Sequence, residues 1–172
     1  MTKSGMSKGD ARDFRVAKAR DIPELARLYA TTIRAHGPDK YSPLQVDAWA
    51  SFAAKEERFA PFILDVETWI LEDARGPAGF GGMGADGHIA SLYVRADCAR
   101  QGVGRMLVMK LLDRARERSL SRVYTEASQF SKALFERLGF RVVEEEIADY
   151  DGVTFLRWKM DRLVGGDGQH FR

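Results

Sequence analysis

The chain has 172 residues, 45% hydrophobic and 30% charged, which fits one domain with a buried core. A formal net charge of +2 argues against nucleic acid as the main partner, and no apolar run reaches the length of a membrane span. A lone cysteine, Cys98, excludes an intrachain disulfide and fits the reducing cytoplasm.

Residues 1–12 are polar and lack the apolar segment of a secretory signal, so they read as a flexible leader. The glycine-rich end, 163–172, reads as a flexible tail, leaving a single domain over 13–162. Phe14-Arg15-Val16-Ala17 alternates as a first strand does. Asp21 reads as an N-cap, with Pro23 in the first turn and Glu24 at the capping-box position. Ile22, Leu25, Leu28, Tyr29 and Ile33 then keep helical spacing up to Gly37-Pro38. A second helix is expected after Ser42, starting at Pro43 and carrying Leu44, Val46, Ala48, Trp49 and Phe52.

Glu67 to Glu72 and Ala78 to Met83 read as a hairpin turning at Gly76-Pro77, and Asp86-Gly87 marks a second hairpin turn before a strand ending at Val94. After a glycine loop, Met106 to Arg118 is helical, with Val103, Leu107 and Leu111 at i, i+4 and i+8. A strand from Arg122 to Ala127 follows, then a short helix from Lys132 to Leu138 stopped by Gly139. Two last strands, Arg141 to Ile147 and Val153 to Met160, turn at Asp151-Gly152. The order is strand, two helices, three strands, helix, strand, helix, two strands. That is an α/β (α+β) pattern with a mixed sheet, antiparallel at first and parallel around the glycine loop.

The loop Arg100-Gln101-Gly102-Val103-Gly104-Arg105 joins a strand to a helix start. A helix N-terminus leaves N–H groups without intrahelical partners and is partly positive. Glycines let the backbone approach an anion closely, and arginines add charge, so a phosphate-bearing ligand is expected here. A second glycine motif, Gly79-Phe80-Gly81-Gly82-Met83-Gly84, matches G-x-G-x-x-G literally. No helix follows it, so it reads as a glycine-tolerant strand or bulge rather than a dinucleotide site. His36, His88 and His170 show no metal-ligand spacing, and no metal is expected.

Three features together resemble the GNAT superfamily of acetyl-coenzyme A-dependent N-acetyltransferases, specifically a bacterial branch with unassigned acceptors. The first is Leu92-Tyr93-Val94 followed by Arg100 to Leu107, similar to the Q/R-x-x-G-x-G/A pyrophosphate loop. The second is Ser128 to Phe140, similar to the N-x-x-A-x-x-hydrophobic-Tyr-x-x-x-Gly-Phe segment, and the third is the element order. Tyr41-Ser42-Pro43, Gln45, Trp49, Thr125 to Ser128, Gly152, Trp158 and Met160 carry the likeness to the branch. The resemblance implies a mixed, mostly antiparallel sheet of about seven strands with helices on both faces and a central splayed strand pair.

It also implies acetyl-CoA as acyl donor and an amine of a small molecule or protein as acceptor, by direct transfer. The cofactor would meet Leu92, Tyr93, Val94, Arg100, Gln101, Gly102, Val103, Gly104, Arg105, Ser128, Ser131 and Phe135. Ala99 and Ser128 depart from the motif, and Phe135 stands where many relatives place a tyrosine that protonates the thiolate. That keeps a second reading open, a non-catalytic acyl-CoA-binding sensor or interaction module.

Glu126 is the first candidate base, or else anchors the strand end; His88 is the second, or else an exposed turn histidine. Tyr93 either bonds substrate and protonates the thiolate or packs in the core. Tyr41 and Trp49 either line the acceptor pocket or pack helices. Cys98 either is a reactive thiol or has no such role. Arg114, Arg116, Arg118 and Arg122 read as a solvated face. Asp39, Asp47, Glu144, Glu145, Glu146, Asp149 and Asp151 would suit a cationic acceptor, or form an exposed acidic face. An exposed last strand or the early helices would allow a homodimer.

Overall fold

The computed structural model describes residues 11–165; most of the expected leader and tail, and His170, lie outside the described residues. Strand β1 (Asp13–Val16) leads into helices α1 (Ile22–His36), α2 (Pro43–Ser51) and α3 (Glu56–Leu64). Strands β2 (Glu67–Asp73), β3 (Gly76–Met83) and β4 (His88–Val94) follow, then α4 (Val103–Glu117), β5 (Arg122–Ala127), α5 (Lys132–Arg137), β6 (Arg141–Tyr150) and β7 (Val153–Leu163). One sheet of seven strands runs β1-β2-β3-β4-β5-β7-β6. Every ladder is antiparallel except β4 with β5. This is the mixed, mostly antiparallel sheet expected.

Two apolar layers sandwich the sheet. On one face Leu25, Tyr29, Phe59 and Ile63 of α1 and α3 bury against Ile70 and Phe80. On the other, Val108, Leu111 and Leu112 of α4 and Phe135 of α5 bury against Ile89, Val123 and Met160. Strand alternation delivers Ile70 to one layer and Leu71 to the other.

Helix α3 is absent from the expected order. Phe59, Phe62 and Ile63 carry helical spacing, but the element is only nine residues long and holds Pro61, which removes an N–H donor. Asp21 precedes α1 as expected but makes no side-chain cap. Its carboxylate accepts instead from Arg15 at 2.8 Å and from the Lys18 N–H at 2.8 Å, because a guanidinium within reach makes the stronger charge-assisted pair. The β2–β3 turn lies at residues 74–75 rather than at Gly76-Pro77, and Pro77 joins the ladder opposite Glu72 beside a bulge. At the β6–β7 turn Asp151 and Gly152 both have positive φ, 50° and 83°. That is the demand a type I′ hairpin places on its two central residues.

The glycines of β3 set the approach of α4. A Cβ at Gly79 would lie 2.8 Å from the Tyr93 carbonyl oxygen, 2.9 Å from Val103 Cγ1 and 3.0 Å from Leu107 Cδ1. Glycine at this position therefore lets the helix sit tight on the sheet, and the literal G-x-G-x-x-G is a strand, as its context indicated.

Candidate active site

Strands β4 and β5 pair only at His88–Tyr124 and Ile89–Thr125, then part. The Arg95 N–H donates to Ala78 O at 2.8 Å, so alternation turns the N–H and C=O groups of Leu92 and Val94 away from β3 and into the gap. Thr32 Oγ1 of α1 donates to the Val94 carbonyl at 2.5 Å. The Leu92 and Val94 side chains point to the α4 layer, whereas Tyr93 points to the other.

The mouth of this gap is the start of α4. Arg100 (φ 60°) and Gly102 (φ 80°) take left-handed backbone conformations that swing the chain into the helix. Among the described residues, no acceptor is found for the N–H groups of Gly102, Val103, Gly104 and Arg105. Four orphan donors at the positive end of a fifteen-residue helix, flanked by exposed Arg100 and Arg105, form an arrangement able to receive an anion. Gly104 keeps it open: a Cβ there would lie 3.1 Å from Leu134 Cδ2.

The Gln101 side chain is already engaged. Its Nε2 donates to Asp97 O at 3.1 Å and its Oε1 accepts from Arg12 at 2.9 Å, a contact no sequence pattern foretold. Across the gap, Ser128 and Ser131 build the turn into α5. Ser131 Oγ accepts from the Ser128 N–H at 3.0 Å, and Ser128 Oγ accepts from the N–H groups of Phe130 and Ser131. Phe135 is 2% exposed and edge-on to Phe140 at 4.9 Å, so its role in this structure is core packing.

His88 and Glu126, 38 residues apart, meet on the α1–α3 face near the point where the strands part. His88 Nε2 lies 2.5 Å from Glu126 Oε2, with both side chains about one-third or less exposed. The Glu126 hydrogen bond pulls the imidazole up from its ordinary value against the effect of burial, and the His88 hydrogen bond holds the carboxyl down. Such a pair titrates as a unit. The Tyr124 ring stacks on His88 at 4.9 Å while its hydroxyl donates to Asp86 at 2.5 Å, fixing the imidazole plane.

Trp49 Nε1 donates to Tyr93 Oη at 3.2 Å, and burial pushes the Tyr93 phenol up, so it keeps its proton. Trp49 and Phe155 rings lie 6.4 Å apart. Tyr41 is buried; its hydroxyl accepts from the Gln129 N–H at 3.0 Å and so ties the segment just before α2 to the loop after β5. Arg157 also shares this face, two positions from Phe155 along β7. Alternation in β7 carried the signal for it, but without the strand's partner the face was unassigned.

Other candidates resolve into structural pairs. Arg114 and Arg118 clamp Glu67, holding its carboxyl down at about 2, so those two arginines are not merely a solvated face. Most of the acids expected to favour a cationic acceptor are taken: Asp47 by Arg34, Glu144 by Lys159, Glu145 by Trp158, Glu146 by Arg157 and Asp151 by Lys55. Cys98 is 2% exposed and burial pushes its thiol up, which leaves it unreactive. Among the described residues no group of three or more His, Cys, Asp and Glu side chains is placed to hold a metal ion. None of the described helices is long and apolar enough to cross a membrane.

Known proteins carry the same architecture. The chain is 26% identical over 140 residues to the uncharacterized N-acetyltransferase YafP of Escherichia coli K12, covering 81% of this chain and 88% of that protein. The crystal structure of a GCN5-related N-acetyltransferase (aminotransferase, class-II) from Rhodopseudomonas palustris superposes with a TM-score of 0.86 at 25% identity, covering 93% of this chain and all of that one. The PaiA N-acetyltransferase of Thermoplasma acidophilum, solved in complex with coenzyme A, superposes with a TM-score of 0.71 at 12% identity, covering 89% and 99%. A model of the acetyltransferase (GNAT) domain matches residues 38–162, a span that holds both the amide cradle and the His88–Glu126 pair; the chain therefore belongs to the GNAT family of acetyltransferases.

Proposed function

We propose that the protein moves the acetyl group of acetyl-CoA directly to a primary amine of a small molecule or a protein. The observation that carries this reading is the splay of β4 from β5, with groups suited to the reaction placed along it. Four unpaired N–H groups at Gly102 to Arg105 open onto the gap between β4 and β5, and a histidine–carboxylate pair stands where those strands part. The structure of PaiA with coenzyme A supports a ligand of this class. The donor's thioester supplies an activated acyl group. The backbone amides of Gly102 to Arg105, with Arg100 and Arg105, would hold its pyrophosphate. The Leu92 peptide groups and the Val94 N–H, which face the gap, and the turn at Ser128 and Ser131 would hold its amide-bearing arm.

The His88–Glu126 pair accepts the proton from the attacking amine. The Leu92 and Val94 amides are the donors aimed where carbonyl charge develops. Tyr93, protonated and on the same strand, is the hydroxyl that can give a proton to the departing sulfur in place of the phenol Phe135 lacks.

Thiol release from acetyl-CoA with a broad panel of amines tests this. Acceptor-dependent release is expected. Glu126→Gln should lower kcat by about 100-fold with acetyl-CoA affinity unchanged. The pH profile carries a sign. Wild-type activity should fall on acidification through a pKa above the ordinary imidazole value, because Glu126 stabilises the protonated His88. Without that carboxylate the acid limb should move to lower pH. Tight acetyl-CoA binding with no release from any amine would favour the binding-module reading, which the missing hydroxyl at Phe135 supports.

A further inference from the structure

On the face that carries the His88–Glu126 pair, one cation has terminal nitrogens without a hydrogen-bond partner among the described residues. Arg157 lies on β7, where Glu126 pairs with Lys159, so Arg157 is the diagonal neighbour of Glu126 on the same sheet face. Its Nε donates to Glu146 at 2.5 Å. Among the described residues its two terminal nitrogens make no hydrogen bond, and the side chain is 38% exposed. Lys159, the other cation of this stretch, is already shared between Glu144 and Glu146. Glu146 therefore holds the Arg157 guanidinium through Nε and leaves its terminal nitrogens, the part suited to a planar two-oxygen anion, available to a ligand.

Beyond Arg157 along β7 lies Phe155, against Trp49, whose indole in turn reaches Tyr93. The face thus presents a proton acceptor, an oriented guanidinium and an aromatic wall in a row. From this juxtaposition we propose that the acceptor is an amino acid with an apolar side chain, its carboxylate bound by the terminal nitrogens of Arg157, its amine directed to the His88–Glu126 pair and its side chain against Trp49 and Phe155. The proposal rests on the acetyl-transfer reading for its chemistry, and on Arg157 for its specificity. A carboxylate beside the amine, rather than a second amine, is what this face rewards, and it replaces the cationic acceptor that the acidic residues first indicated.

The experiment compares phenylalanine with phenethylamine, and leucine with 3-methylbutylamine, pairs that differ only in the carboxylate. kcat/KM is read by thiol release, and binding to the full-length protein by ligand-observed NMR. The amino acid should lead its decarboxylated partner by roughly 10- to 100-fold, the range of a charge-assisted pair. In Arg157→Gln that ratio should collapse toward one, and Arg157→Lys should recover part of it, with thermal melting confirming that both variants fold. Equal or better turnover of the bare amines in the wild type would overturn the proposal while leaving acetyl transfer standing. Carboxylate-dependent, Arg157-dependent binding without thiol release would uphold the specificity and sink the transfer reading. A wild type that fails to discriminate in both readouts, or an Arg157→Gln variant that keeps the wild-type ratio, would overturn the proposal.

Discussion

Replacing Gly79 by alanine tests whether the fit of α4 on β3 governs the ligand cradle. The added Cβ would meet the Tyr93 carbonyl oxygen at 2.8 Å, Val103 Cγ1 at 2.9 Å and Leu107 Cδ1 at 3.0 Å, all inside the 3.4–4 Å of ordinary contact. Leu107 Cδ1 can rotate away. The carbonyl cannot, because Gly79 and Val94 are partners in the β3–β4 ladder. Val103 is the first residue of α4 and 1% exposed, so relieving that contact means moving the helix start.

Overpacking of this kind costs about 1–3 kcal/mol, offset by about 0.4–1 kcal/mol from the stiffer unfolded chain. A net loss of roughly 1–2 kcal/mol corresponds to a Tm lower by about 2–8 °C for a chain of this size. Moving α4 also displaces the N–H groups of Val103, Gly104 and Arg105, so acetyl-CoA affinity in titration calorimetry should fall by at least ~10-fold. Gly81→Ala is the control, because its Cβ would meet Leu111 Cδ1 at 3.3 Å and the Ser91 carbonyl oxygen at 3.4 Å. It should cost less and leave affinity nearly intact. Equal effects of the two substitutions, or Gly79→Ala with unchanged Tm and affinity, would refute the reasoning.

Gly104→Glu should abolish measurable acetyl-CoA binding in calorimetry while circular dichroism stays near native, since it puts a negative charge among the orphan amides and displaces only the mobile end of Leu134. Glu67→Gln should cost about 1–3 kcal/mol near neutrality, read as a lower Tm, because the carboxylate is 20% exposed and held by Arg114 and Arg118. The folded-state pKa is depressed from 4.5 to about 2, so this contribution is fully present above the unfolded value and lost as pH falls through the folded one. Melting curves of wild type and variant should therefore converge between pH 4.5 and about 2; a difference that persists below pH 2 would contradict the ion-pair origin.

Much of the fold was legible because its determinants are local. Hydrophobic spacing marks α1 and α4, Asp151-Gly152 demands a tight hairpin, and Gly102 demands a left-handed residue before a helix. The unpaired amides at the start of α4 were legible for the same reason: a helix start has them wherever it occurs. Helix α3 was missed because Pro61 and its shortness mask a three-residue apolar pattern. Asp21 has the cap's composition but not its bond, since Arg15, six residues earlier, competes for it.

The sequence by itself determined the succession of seven strands along the chain, the glycine loop and the residue types available for chemistry, because these depend on neighbours within a few positions. Only the tertiary structure decided how those residues combine. His88 and Glu126 each stood as separate candidates; the parallel register of β4 on β5 makes them one pair. Arg157 joins them because β7 lies beside β5 with Glu126 opposite Lys159. Pairing register across a sheet is a long-range choice, set by which faces the helices bury, and a shift of one residue would turn each of these side chains to the opposite layer.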